Sequence, residues 1–342
     1  MTNRTHLYEI ADQLFRLAPW RWMGEHQLIG LRHPETGELA RLSMMGAAGN
    51  HSSLAVYLGE AALHRFNLIQ LAAGEGIGLT EEDTLGLILE SRQLQTSFAL
   101  RDELFKTELA EIKSLGRKYR GANWPCFRSF HPGRAPGPVN DAEAVWLHHA
   151  MQQMLAVAPA LRDDRFGDYR AGESGQEILT RECAEGNWQT TWTPSDDRLF
   201  QFPEPEPGEF MTAKIKRFTS ALDIECQFQL LPSPIGPQGK AFFPYLLLSV
   251  DRASGFVFGA EMLSVEKQSH EVMIASVPDQ FLRAWDRHNI SPASLRVASQ
   301  TTHAILTKTA QALGIPLRRE KSLPALREAM RGLMAFMKSG MN

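Results

Sequence analysis

Residues 222–230 alternate apolar and polar side chains without a break: Leu222, Ile224, Cys226, Phe228 and Leu230 against Asp223, Glu225, Gln227 and Gln229. A polarity that repeats every two residues lets a segment bury one face and wet the other only as a strand. The chain must therefore build a sheet with at least one covered face here. Cys226 lies on the apolar phase, which makes it a small core residue.

The residues that follow extend this pattern. Segments 242–250 and 256–263 read as strands joined by Asp251-Arg252-Ala253-Ser254-Gly255, and 272–277 reads as a third. A helix near 279–288, a strand at 295–299, a helix at 301–313 and a strand at 315–319 come next. The last helix opens at Ser322 as N-cap and carries Leu323, Leu326, Met330, Leu333 and Met337 on one stripe. The order β-β-β-α-β-α-β-α is that of a ribonuclease-H-like core, and it predicts an α/β domain over 241–342.

The first half reads differently. Leu7, Ile10, Leu14 and Leu17 recur at helical spacing until Pro19. Segments 27–33 and 38–45 flank Pro34-Glu35-Thr36-Gly37, a hairpin turn, and a third apolar run covers 54–58 before a helix at 60–71. This α-β-β-β-α start predicts an α+β domain over 1–166. Within it, a helix at 102–115 is closed by Gly116. Segment 120–138 holds Pro125, Pro132, Pro136 and Pro138 with Gly121, Gly133 and Gly137, a composition that predicts an irregular loop. Asn140 and Glu143 have the spacing of a capping box that starts a helix running to about 158.

Between the domains, 167–176 is rich in Gly, Asp and Glu and marks the expected boundary. Segments 177–183 and 187–192 suggest a hairpin around Glu185-Gly186. The Pro-rich runs at 203–208 and 232–239 read as connectors, so 167–240 is expected as linker and hairpin.

A chain of 342 residues is long enough for two cores, and 43% hydrophobic with 22% charged residues is an ordinary globular balance. A formal charge of −3 argues against a protein that coats nucleic acid along its length, which needs concentrated Lys and Arg. No basic region leads into a long apolar run at the start, and no stretch approaches the roughly 20 apolar residues of a membrane span, so a cytoplasmic protein without membrane insertion is expected. Cys126, Cys183 and Cys226 lie too far apart for CxxC redox or zinc spacing, in keeping with a reducing compartment.

Trp124-Pro125-Cys126-Phe127-Arg128-Ser129 followed by Pro132-Gly133 and Pro136, together with Ser43-Met44-Met45-Gly46 and Leu54-Ala55-Val56-Tyr57-Leu58-Gly59, resembles the N-terminal domain of a group of bacterial proteins whose function is unknown. Where that group has an aromatic after the last of these prolines, Gly137 stands here. From Phe243 onward the chain resembles a second uncharacterised domain that accompanies the first. The resemblance implies a bacterial source and this pairing, and it carries no activity.

Several residues invite a chemical reading. Asp251 ends a strand where a ribonuclease-H-like enzyme places its first metal-binding carboxylate, and Glu328 on the last helix offers another acid. Two-metal chemistry needs further carboxylates, and the strand that should supply one reads Arg296-Val297-Ala298-Ser299-Gln300. Asp251 equally suits the start of a turn, so no catalytic set and no metal site is expected. Trp124, Arg128, His131 and Arg134 are the candidate ligand-binding residues, Arg for its planar fork and Trp for stacking. His148 and His149 are adjacent on a helix and diverge by roughly 100°, which disfavours a shared ion. The loop from Gly46 to Ser53 lacks the Lys-Ser/Thr ending of a phosphate loop and reads as a hairpin connector.

Segment 296–338 holds eight Lys or Arg (Arg296, Lys308, Arg318, Arg319, Lys321, Arg327, Arg331, Lys338) against Glu320 and Glu328, which suits either a solvated face or contact with nucleic acid. No Gly-x-Ser-x-Gly elbow or dinucleotide-binding glycine fingerprint is present, so no cofactor is expected. The reading that results is a binding or accessory protein rather than an enzyme, its partner unknown, with a protein as one candidate and nucleic acid as a weaker one. The alternative is a divergent metal-dependent nuclease or a nucleic-acid-binding protein on a degenerate ribonuclease-H-like domain.

Overall fold

The computed structural model describes residues 4–47, 49, 52–75, 78–163, 165–166, 177–219 and 222–339, the side chains of 334 and 336–339 excepted. The expected boundary at 167–176 lies outside the described residues, as do three residues (48, 50 and 51) of the loop after Gly46. Along the chain come α1 (Arg4–Leu17), β1 (Ile29–Arg32), β2 (Leu39–Met45), β3 (Ser53–Leu58), α2 (Glu60–Glu75), α3 (Glu81–Leu89), β4 (Gln93–Ala99), α4 (Lys106–Ser114), β5 (Trp124–Phe130), β6 (Gly137–Pro138) and α5 (Asp141–Arg162). Then follow β7 (Glu177–Ala184), β8 (Asn187–Pro194), α6 (Glu209–Ile215), β9 (Leu222–Leu230), β10 (Tyr245–Asp251), β11 (Val257–Leu263), α7 (His270–Arg287), β12 (Pro292–Val297), α8 (Gln300–Leu313), β13 (Leu317–Arg319) and α9 (Pro324–Ser339). These elements form two compact units, one of residues 1–71, 90–200 and 237–240, the other of 72–89, 201–236 and 241–342.

In the first unit one sheet has the order β6-β5-β4-β3-β2-β1-β7-β8, antiparallel except where β1 runs parallel to β7. Alternation sorts β3 between two cores: Leu54 and Val56 join the apolar residues of α1 and α5, while Ala55 and Tyr57 pack on Ala62, Leu63 and Phe66 of α2. The turns follow their residues. Gly37 takes φ 70° and donates to the His33 carbonyl, and Glu185 and Gly186, at φ 49° and 80°, make the two-residue turn between β7 and β8. At α5 the Asn140 side chain accepts from the Glu143 amide and the Glu143 carboxylate accepts from the Asn140 amide, each at 2.9 Å.

One sequence expectation fails here. Residues 124–130 are not irregular but form β5, paired along its full length with β4. On its other side β5 meets β6 only at Arg128 and Ser129, so Pro125 sits where the ladder has an open edge and a missing donor costs little.

The second unit has a five-stranded mixed sheet of order β11-β10-β9-β12-β13, with β10 antiparallel to β9 and β11, and β12 parallel to both β9 and β13. The alternating segment 222–230 is its central strand, although the sequence reading set it in the stretch between the domains. Ile224, Cys226 and Phe228 are buried. Thr302 of α8 bonds both backbone polar groups of Phe228, and the Trp285 indole of α7 donates to Ser249 at 2.9 Å, so this face carries α7 and α8. Leu248 and Val250, on the opposite phase of β10, pack on Leu323 and Leu326 of α9.

The expected strand at 272–277 is instead the first half of α7. Ser269 caps it by accepting from the Val272 amide, and Met273, Ile274, Val277, Phe281, Leu282 and Trp285 bury a helical stripe. The start of α9 also differs from expectation, since Ser322 is not its cap. The Leu326 amide donates at 2.9 Å to Glu225, which reaches over from β9. At α8, Asp83 accepts from the backbone amides of Gln300 and Thr301 at 2.8 and 2.9 Å. Both helix starts thus take a carboxylate from a distant segment of the same unit, where the helix dipole favours negative charge.

Candidate functional site

At one end of the second sheet, β9 places Asp223 and Glu225 on the polar phase of its alternation. The register sets Ser294 of β12 beside Asp223 and Arg296 beside Glu225. Arg296 Nε donates to Asp223 Oδ2 at 2.6 Å, and its Nη1 donates to Glu320, just past β13. Arg252, one residue beyond β10, reaches Glu320 at 3.2 Å, Glu225 at 3.9 Å and Asp223 at 4.0 Å. Three carboxylates are thus laced together by two guanidinium groups. Burial works against the charge on Asp223, but donation from Ser294 and Arg296 prevails and keeps its pKa below the ordinary value.

Asp251 belongs to a different arrangement. Its Oδ2 accepts from the Ser254 amide at 2.8 Å and the Ser254 hydroxyl at 2.5 Å, and its carbonyl accepts from Gly255. These bonds close a turn, and those from Ser254 lower the Asp251 pKa. Strand alternation puts Asp251 on the Ser249 side, toward α7, whereas Glu328 projects from α9 and pairs with Arg331 at 2.8 Å in solvent. The two acids singled out from the sequence are on opposite sides of the sheet. Among the described residues, no three His, Cys, Asp or Glu side chains are placed to hold a metal ion.

In the first unit, Trp124 and Arg128 lie on β5, and His131 and Arg134 follow it, each with its own set of neighbours. Arg128 is buried in β5, where it pairs with Glu108, donates to the Phe127 and Glu103 carbonyls and lies 3.9 Å over the Phe105 ring. Half-buried Trp124 packs against Tyr119 with ring centroids 5.7 Å apart. His131 faces Glu143, whose Oε1 accepts from Arg92 and Ser129, both at 2.7 Å. Burial alone would raise the Glu143 pKa, but the bonds from His131, Ser129, Asn140 and Arg92 hold it at about 2. The Arg134 backbone turns back on the His131 carbonyl. Of the candidates, Arg128 is a core cross-link and His131 the rim of a buried carboxylate network.

Two cavities were not legible in the sequence. In the first unit one of about 540 Å³ is lined by Phe15, Arg16, Trp20, Arg21, Phe98 and Glu103 among others. In the second, one of about 590 Å³ lies beside α9, with Leu323, Leu326 and Met330 at its apolar wall and Lys321, Arg327 and Arg331 at its margin. Much of the C-terminal basic excess is already engaged. Besides Arg296 and Arg331, Lys308 pairs with Glu206 and Arg319 donates to Gln300 and the Gly78 carbonyl.

Two mixed sheets, each in a unit with its own helices, define a two-domain α/β protein. Residues 5–181 match the family described as Domain of unknown function (DUF7309), and the chain belongs to that family. Residues 212–334 match a second one, Domain of unknown function (DUF6930), so both uncharacterised domains expected from the resemblance are present. No curated protein matches the chain. No helix among the described residues is long and apolar enough to cross a membrane.

Proposed function

We propose that this chain is a binding or accessory protein whose second unit uses a ribonuclease-H-like scaffold without its chemistry. The strand order β11-β10-β9-β12-β13, with one antiparallel strand second from the edge and helices after the third and fourth strands, supports the scaffold part of that reading. The observation that carries the rest is the position of Arg252 and Arg296. A two-metal hydrolase gathers carboxylates whose negative charge is balanced by cations. Here the balancing charge is guanidinium: Asp223 and Glu320 are hydrogen-bonded to it, and Glu225, whose other oxygen takes the Leu326 amide, lies 3.9 Å from Arg252.

The test is cleavage. The full chain, with magnesium or manganese, is incubated with a panel of single-stranded DNA, duplex DNA, RNA and RNA–DNA hybrid. We expect no turnover above buffer, and no difference between the wild type and Asp251→Asn or Asp223→Asn. Metal-dependent cleavage abolished by either substitution would overturn the reading and establish the nuclease.

A second reading, nucleic-acid binding without cleavage, is favoured by the cavity whose margin carries Lys321, Arg327 and Arg331. It requires a mobility shift that weakens with salt and is reduced by Lys321→Glu and Arg327→Glu. A shift unchanged by either substitution dismisses it.

A further inference from the structure

The cavity of the first unit has a composition that selects a ligand. Phe15 at the end of α1, Trp20 in the short turn after it and Phe98 in β4 form a three-ring cluster, with centroids 4.8 Å (Phe15–Phe98), 5.5 Å (Trp20–Phe98) and 6.1 Å (Phe15–Trp20) apart. All three line the cavity of about 540 Å³, within the range of small-molecule sites. Leu100, 48% exposed, adds an apolar lip. The chain enters the turn through Ala18, whose φ of 50° is a left-handed conformation rare for a residue with a side chain. That kink carries the chain from α1 into the turn holding Trp20.

The charged residues of the lining decide the sign. Arg16 donates from Nε to the Asp12 carbonyl at 3.2 Å, and among the described residues neither Arg16 nor Arg21 forms an ion pair. Glu103, the one acid among the lining residues, has Oε1 engaged by the Leu100 amide at 3.0 Å. Aromatic walls with a carboxylate rim would suit an organic cation through the ring quadrupole. Aromatic walls with two guanidinium groups against one carboxylate suit the opposite charge, because Arg offers paired donors to a carboxylate, sulfonate or phosphate.

We infer that this cavity binds a small planar aromatic molecule bearing one anionic group, its ring against Trp20, Phe15 and Phe98 and its anion on Arg16 and Arg21. The inference extends the binding reading by naming a ligand class, and it does not depend on the second unit. Nuclease activity and ligand binding can each fail without the other.

Three matched probes test it: 2-naphthoate, neutral 2-naphthamide and cationic 2-naphthylmethylammonium, each titrated into the full chain by calorimetry. The expected result is one equivalent of 2-naphthoate bound at about 1 mM or tighter, with the amide and the cation weaker by about tenfold or more. Arg21→Glu, a change at an exposed side chain that leaves the core intact, is expected to weaken 2-naphthoate by about tenfold and to spare the amide. Trp20→Leu should weaken all three probes, and a thermal melt close to the wild type certifies the fold of each variant. Failure of 2-naphthoate to bind, preference for the cation, or equal affinity in wild type and Arg21→Glu would each overturn the assignment.

Discussion

Glu143 shows how one side chain can be fixed by its partners. It closes the capping box of α5, binds Arg92 and Ser129 and faces His131, and this set holds its pKa at about 2 against an ordinary 4.5. A carboxylate whose folded pKa is depressed stabilises the native state above its unfolded pKa, and that stability is lost as pH falls through the folded one. Glu143→Gln should therefore cost about 2 kcal/mol in urea unfolding at pH 7 and show a shallower loss than the wild type between about pH 4.5 and 2. Equal acid profiles would refute the assignment. His149 has the opposite sign. Burial, with His148 and His33 nearby, pushes its pKa down to about 4, so the unfolded chain takes up the proton first and stability falls as pH drops from about 6.5 to 4. After discounting for partial exposure, His149→Leu should remove about 1 kcal/mol of that acid loss. An unchanged pH dependence would show that His149 is not the group responsible.

At the scale of elements, the decisive contacts join segments far apart in sequence. Asp83 reaches the start of α8, whose N-cap is Ser299, from 218 residues away, accepting from the Thr301 amide and hydroxyl as well as from Gln300. Asp83→Ala is expected to lower stability by about 2 kcal/mol, read by urea unfolding, because two amide donors at a helix start lose their acceptor together. A loss below about 0.5 kcal/mol would mean that water replaces the carboxylate without penalty. The same distance explains which elements the sequence revealed. The alternation of 222–230, the Asn140–Glu143 box and the Glu185-Gly186 turn each depend on neighbours a few residues apart, and each can be read locally. Strand β5 could not, because Pro125 is tolerated only through an edge that its partner β6 leaves open. The helical 272–277 was obscured because Val272, Met273, Ile274 and Val277 also satisfy a strand pattern, and only Ser269 signalled a cap. Arg252, Asp223, Glu225 and Glu320 converge through strand register, which no local spacing displays. The Phe15, Trp20 and Phe98 cavity likewise draws on α1, a turn and β4.

At the scale of the molecule, the chain does not divide at a single point. Residues 72–89 belong to the second unit although the first unit resumes at residue 90, and α3 within them packs on β9 with Leu87 buried. A fragment of residues 201–342 should consequently melt at a lower temperature than the second unit in the full chain, and a peptide of residues 72–90 added in excess should raise its Tm. No response to the peptide would show that α3 contributes nothing to that core. The wider claim is that this sheet holds its carboxylates with arginine where a nuclease would hold them with metal. Manganese titration of the full chain, followed by electron paramagnetic resonance, tests it most directly. We expect the signal of the free ion to be retained at stoichiometric protein in the wild type. Two coupled manganese ions, lost together in Asp223→Asn or Asp251→Asn, would contradict the account.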